Sequence, residues 1–192
     1  MDKSKEKKII QRVYTDGSVY EGEWNGSLTR NATYVFSDGS KYVGEWFNNK
    51  GYGKGVYTDG NGDVYTGSFV GGVPHGNGIF NYHDGNKFEG SWKNGVRDGP
   101  GRYTYVHLGK GVEEFYEGDY KKDVRDGFGV YTYANGDQEE GRWVNGQPHG
   151  DHEYFEKEDR LTESMETPLR NIRKWKHGRL SNRSVLSRLL GF

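Results

Sequence analysis

Between residues 14 and 155 large apolar residues alternate with polar ones, and the alternation is organised around glycine. The arrangement aromatic-x-Gly-x-aromatic stands at Tyr20/Gly22/Trp24, Tyr42/Gly44/Trp46, Tyr65/Gly67/Phe69, Phe88/Gly90/Trp92 and Tyr116/Gly118/Tyr120. A sixth copy, Glu139/Gly141/Trp143, has lost its first aromatic. Successive central glycines lie 22, 23, 23, 28 and 23 residues apart, so the repeat is 23 residues long and one copy carries a five-residue insertion near Val106 to Val112. Period-two alternation is the signature of a strand, which puts Tyr42, Gly44 and Trp46 on one face and Val43 and Glu45 on the other.

Two punctuation marks flank each such strand. Three residues before the first aromatic stand Gly17, Gly39, Gly62, Gly85 and Gly136, each preceded by Asp or Asn, and three residues after the second stand Asn49, Gly72, Gly95, Asp123 and Gly146. Asp-Gly and Asn-Gly pairs supply the positive φ that tight hairpin turns demand, so each repeat reads as one β-hairpin. The second strand carries Gly-x-Gly (Gly53/Gly55, Gly76/Gly78, Gly99/Gly101, Gly127/Gly129), followed in period two by Tyr57, Phe80, Tyr103 and Tyr131. Both glycines of each pair are expected to open space on one face so that large rings lie over bare backbone. A lone hairpin is marginal in water, whereas stacked copies bury a shared face and form a one-dimensional array. The fold class expected is all-β: an elongated, single-layer, twisted antiparallel sheet of about twelve strands in tandem hairpins, ending in a short C-terminal helix.

Composition agrees with an aromatic interior. Leu, Ile, Val and Phe number only 36 in 192 residues, but 15 Tyr, 9 Phe and 5 Trp supply burial that the aliphatics do not. Glycine is abundant at 31 residues against four prolines, and cysteine is absent, so no disulfide framework, thiolate metal site or thiol nucleophile is available. An intracellular, reducing setting fits. No apolar run is long enough to cross a bilayer as a helix, and the charged start Met1 to Lys8 is not a secretion signal.

The stretch Phe88-Glu-Gly-Ser-Trp92-Lys-Asn-Gly-Val-Arg-Asp-Gly99-Pro-Gly101-Arg-Tyr103-Thr-Tyr105 resembles a MORN (membrane occupation and recognition nexus) repeat. The resemblance covers six tandem copies and a half-copy at Tyr14 to Gly17. It implies a non-enzymatic scaffold or adaptor, cytoplasmic and associated with a cytoskeletal or ciliary structure, and homodimerisation is a further implication. Departures mark the ends of the array. The first repeat has Arg30-Asn31-Ala32 in place of Gly-x-Gly, the sixth has His152 in place of the second glycine, and Arg173-Lys-Trp175-Lys-His-Gly178 reads as a degenerate seventh start with Arg173 where glycine belongs. The organisation read from this is a charged extension over 1–12, the array over 13–155, an acidic-to-basic connector with the degenerate repeat over 156–181, and an amphipathic helix over 182–192.

Charge adds a second candidate surface. Residues 151–166 sum to -5 and residues 167–192 to +7 with no acid. Within the basic tail Asn182 is a helix cap and Val185, Leu186, Leu189 and Leu190 an apolar stripe, a helix expected to cover the open end of the sheet. The rival use of the tail, through Arg173, Lys174, Lys176, Arg179, Arg183 and Arg188, is a partner contact or a weak contact with anionic lipid. The main candidate surface is an aromatic trough built by Trp46, Tyr65, Phe69, Phe88, Trp92, Tyr116 and Tyr120, which is expected to take a helical segment of a protein partner. A regulatory role beside an enzyme on another chain is the third class.

Other chemistry is disfavoured. No Gly-x4-Gly-Lys-[Ser/Thr] occurs for phosphate binding. His149 and His152 form H-x-x-H, but His149 shares its repeat position with His75, Asp98 and Asp126, so a polar turn explains it better than a metal. Neither a cofactor nor a catalytic constellation is indicated, and the acidic array lacks the basic groove that nucleic acid requires.

Overall fold

A computed structural model describes residues 9–23, 28–106, 113–157, 171–176 and 179–185. The chain divides into two compact units, residues 1–96 and 97–192. The first contains β1 (Ile9–Val13), β2 (Val19–Glu23), β3 (Leu28–Val35), β4 (Lys41–Phe47), β5 (Lys50–Thr58), β6 (Val64–Val70), β7 (Val73–Asn81) and β8 (Lys87–Lys93). The second contains β9 (Val96–Val106), β10 (Glu113–Lys121), β11 (Val124–Thr132), β12 (Gln138–Val144), β13 (Gln147–Phe155), β14 (Asn171–Lys176) and β15 (Arg179–Val185). Within each unit the strands pair antiparallel in chain order, so the contacts are local and every hairpin is the neighbour of the next.

The turns follow the sequence pattern. Asn94 and Gly95 take φ of 51° and 87°, and Asn145 and Gly146 take 49° and 80°, the two consecutive left-handed residues of a primed hairpin turn. Lys122 and Asp123 hold the same conformation at 48° and 69°, and of the two the lysine is the residue unsuited to it.

Register explains the second glycine of each pair. Gly44 pairs with Gly55, Gly55 with Gly67, Gly67 with Gly78 and Gly78 with Gly90, forming one straight glycine row across five strands. A Cβ on Gly67 would lie 2.5 Å from the Tyr65 hydroxyl and 2.7 Å from the Gly78 Cα, so the ring of Tyr65 lies flat over bare backbone. The first glycine has a different task. At Gly53 (φ 62°), register slips between Gly44 and Trp46 on the facing strand, and a Cβ there would meet the Glu45 carboxyl. This glycine makes a β-bulge and points away from the rings, contrary to the expectation that both glycines open the same face.

The stacked rings form the core of each unit. Tyr42 and Phe69 meet edge to face at 4.9 Å, as do Tyr65 and Phe69 at 5.0 Å and Tyr65 and Trp92 at 5.1 Å, while Tyr34 stacks on Trp46 at 5.2 Å. These are the geometries that ring quadrupoles favour. Each first-strand tyrosine also satisfies its hydroxyl locally, donating to the carbonyl three residues on: Tyr42 to Glu45 at 2.8 Å and Tyr65 to Ser68 at 3.1 Å. Burial of these phenols pushes Tyr42 and Tyr65 up to about 12.

The C-terminal end brings one correction. The degenerate repeat forms a strand, β14 pairing along β13 and β15 along β14. Residues 182–185 belong to β15, so the expected helix does not begin at Asn182; backbone pairing with β14 takes the amides a helix would use. Residues 186–192, with Leu186, Arg188, Leu189 and Leu190, lie outside the described residues, as does the insertion over 107–112.

Candidate functional sites

The seven rings expected to line a trough are buried, with exposures between 0% (Phe88, Tyr116) and 8% (Trp46). They are core: Tyr65 and Tyr116 lie over glycine pairs, and Trp46, Phe69, Phe88, Trp92 and Tyr120 pack against neighbouring rings. The partly exposed aromatics are those of the second strands, such as Tyr57, Phe80, Tyr103 and Tyr131. The signal for this difference was present in the Gly-x-Gly pairs, which buried the first-strand rings, not their neighbours.

The open concavity of the first unit lies on the opposite face. A groove of about 690 Å³ runs over the glycine row, from Gly44 to Gly90, and its walls include Val43, Val56, Thr66 and Ile79. Those four residues are themselves in register, Val43 with Val56, Val56 with Thr66 and Thr66 with Ile79. The floor is bare because the side-chain positions of the glycine row point to the ring face, and the residues that alternate with them form the walls. Charge is confined to the sides: Lys54 reaches Ser68 Oγ at 2.9 Å, and Lys87 pairs with Glu89 at 2.9 Å.

In the second unit the matching row of that face is Arg102, Glu117, Val130, Glu140 and Glu153. Arg102 approaches Glu117 at 3.5 Å and Glu113 at 3.8 Å. The same register thus presents mainly charge where the first unit presents Val43, Val56, Thr66 and Ile79 before it ends in Glu89.

Cations also enter the ring layer of the second unit. Five residues after the second aromatic, where the first unit has Gly51 and Pro74, stand Arg97 and Arg125. Arg97 is paired with Asp123 at 3.2 Å and lies over Tyr120 at 5.3 Å. Arg125 donates to the Tyr105 hydroxyl and sits among Tyr116 at 4.5 Å, Trp143 at 4.9 Å and Tyr131 at 5.4 Å, so ring faces are its main electrostatic partners.

The sixth repeat holds a buried polar cluster. Glu139, 2% exposed, occupies the place of the first tyrosine, and fully buried His152 occupies that of the second glycine. The two departures compensate. The His152 ring fills the space over Gly141 that a tyrosine fills elsewhere, and its Nε2 donates to the Arg142 carbonyl at 2.8 Å. This is the carbonyl three residues beyond Glu139, the one a tyrosine at 139 would have used. His152 Nδ1 lies 3.3 Å from Glu139 Oε1, at ion-pair distance but without hydrogen-bond alignment. Glu139 accepts further bonds from Tyr133 Oη at 2.6 Å, Trp175 Nε1 at 2.6 Å and Arg173 Nη1 at 3.1 Å. Burial works against the Glu139 charge, but His152, Tyr133, Trp175 and Arg173 together hold its carboxyl below the usual range.

This cluster changes the reading of the basic tail. Arg173 is committed to Glu139 and lies over the Tyr154 ring at 3.5 Å. Lys174 and Arg179 are exposed, Lys176 and Arg183 are placed only as strand residues, and Arg188 lies outside the described residues. Among the described residues, no group of three or more His, Asp or Glu is placed to hold a metal ion.

A family model described as MORN repeat matches residues 20–41, 42–64, 65–87, 88–106, 116–138 and 140–150. No curated protein matches the chain. Among solved structures, a wild-type TCP10 domain of Danio rerio CPAP, in complex with a peptide of Danio rerio STIL, is 12% identical over 93% of this chain and 100% of that one. Its TM-score of 0.29 is too low to carry a fold or partner argument.

Proposed function

Because the chain belongs to the MORN-repeat family, we propose that it is a non-enzymatic interaction module whose first unit takes the apolar face of a partner's helical segment into the glycine-floored groove. The observation that supports this reading is the groove itself: about 690 Å³, bare at the floor, with Val43, Val56 and Ile79 along one wall, Lys54, Asn77 and Glu89 at its edges, and open to solvent. Burial of apolar surface there drives association, and the exposed backbone permits close approach. Attachment to a cytoskeletal or ciliary structure belongs to this proposal on family resemblance alone. A lipid contact through the basic tail is the weaker reading, since Arg173 spends its charge internally on Glu139.

The test pairs two substitutions at matching positions. Thr66→Trp fills the groove from an exposed wall position and is expected to leave the melting midpoint near that of the parent while reducing partner capture at least tenfold. Val130→Trp, in the corresponding row of the second unit, is the control and is expected to leave capture unchanged. Equal capture by the Thr66→Trp protein and the parent refutes the groove.

A further inference from the structure

The sixth repeat does more than close the array. The Glu139 carboxylate uses its two oxygens separately, Oε1 for the Trp175 indole at 2.6 Å and Oε2 for the Arg173 guanidinium at 3.1 Å. Arg173 and Trp175 are two residues apart on β14, hence on one face of the strand, and Tyr154 supplies a ring face under the arginine at 3.5 Å. The His152 ring, 6.3 Å from that of Trp175, forms a further wall. An ordinary tyrosine and glycine at 139 and 152 would offer neither a carboxylate nor that wall.

Connectivity adds an independent observation. β12 and β13 are joined by the tight pair Asn145-Gly146, which sets their register. Fifteen residues separate the end of β13 at Phe155 from the start of β14 at Asn171, so no tight turn dictates how β14 meets β13. The register found, Gly150 with Trp175, Asp151 with Lys174 and His152 with Arg173, is the one that delivers both side chains to Glu139. A one-residue slip would turn Arg173 and Trp175 to the opposite face and lose both contacts.

We propose that Glu139, His152 and Tyr154 form a sequence-selective socket on β13 for a basic β-strand bearing arginine and tryptophan two residues apart, filled here by the chain's own β14 and open to a partner strand of the same chemistry in its place. Strand addition supplies main-chain hydrogen bonds, and the socket supplies selectivity through alternate side chains. The tethered β14 competes at high effective concentration, so an incoming strand binds well only when β14 is weakened or withdrawn. The socket is separate from the first-unit groove, and either can fail without the other.

The experiment uses the full chain and a labelled synthetic peptide of residues 169–185, followed by fluorescence anisotropy. A chain carrying Arg173→Ala and Trp175→Ala is expected to bind this peptide at least tenfold more tightly than the unaltered chain does. A peptide of equal charge with Arg173→Lys and Trp175→Ala is expected to lose that binding, and adding Glu139→Gln to the emptied chain is expected to weaken it at least tenfold. Absence of binding to an emptied chain that melts cooperatively, equal binding of the two peptides, or indifference to Glu139→Gln overturns the proposal. A second variant covers the case in which the emptied chain does not fold. Glu139→Tyr with His152→Gly restores the ordinary repeat pair, and amide exchange over β14 is expected to accelerate at least tenfold in it; unchanged protection also overturns the proposal.

Discussion

The two units are built from one repeat and solve its packing problem differently. In the first, the core is mainly rings laid over glycines, with Ala32 also buried, and the hydroxyls of Tyr42 and Tyr65 are satisfied by carbonyls of their own strand. In the second, Arg97 and Arg125 thread between the rings, and Glu139 with His152 replaces a tyrosine and a glycine. The outer face changes in parallel, from Val43, Val56, Thr66 and Ile79 to Arg102, Glu117, Val130 and Glu140. A 23-residue frame therefore tolerates charge in its ring layer, provided that each charge meets a ring face or a partner. On the two proposals above, the first unit would serve apolar docking and the second the recognition of a basic, indole-bearing strand.

The largest expected contrast comes from Glu139. Removing one member of a buried charged cluster leaves the others uncompensated, so Glu139→Ala is expected to destabilise the second unit by about 3–5 kcal/mol, with amide exchange in the first unit unchanged. Acid tests the same group without mutation. Its carboxyl titrates below the usual range in the folded protein, so its contribution is present above the unfolded-state value of 4.5 and is lost as pH falls through the lowered folded value. Amides of β12 to β14 are expected to lose protection in that window before those of β4 to β7. Simultaneous loss in both units removes the distinction.

Gly67→Ala tests the first unit's rule that rings lie on bare backbone. The added methyl meets the Tyr65 hydroxyl and the backbone of Gly78 and has nowhere to go, an overpacking cost of about 1–3 kcal/mol. A melting midpoint equal to the parent's contradicts the flat placement of Tyr65.

Arg125→Pro installs in the second unit the residue found at the matching position of the first, Pro74, and of the sixth repeat, Pro148. Backbone geometry accepts proline at both of those positions, so the expected loss, about 1–2 kcal/mol, reports the cation–π contacts with Tyr116 and Trp143 together with the hydrogen bond to Tyr105. Chemical denaturation measures it; a neutral result means that Arg125 is a spectator.

The smallest effect is a gain. Lys122, at φ 48°, occupies a turn position that Asn94 and Asn145 fill in other hairpins, and Lys122→Asn is expected to stabilise by about 1 kcal/mol, seen as a rise in midpoint. An unchanged or lower midpoint shows that the lysine turn carries no strain.

Strand order, turn positions and the aromatic core were legible in the chain because each depends on residues a few positions apart: alternation sets the face, Asp-Gly and Asn-Gly set the turns, and a tandem repeat of about 23 residues makes each hairpin the neighbour of the next. The roles of individual residues were less legible, because they depend on register between strands. Gly53 and Gly55 look equivalent in sequence, yet a bulge turns one away from the rings while the other lies beneath one. Tyr65 and Tyr57 also look equivalent, and only pairing across glycine rows buries the first and leaves the second half exposed. Glu139 and His152 were visible as two separate losses from the repeat. That they compensate one another, and together receive Arg173 and Trp175 from a strand more than thirty residues away, follows from where three neighbouring strands place their side chains. Alternation within a strand is a covalent property that local residues encode, whereas satisfaction of a buried carboxylate is a property of the assembled sheet.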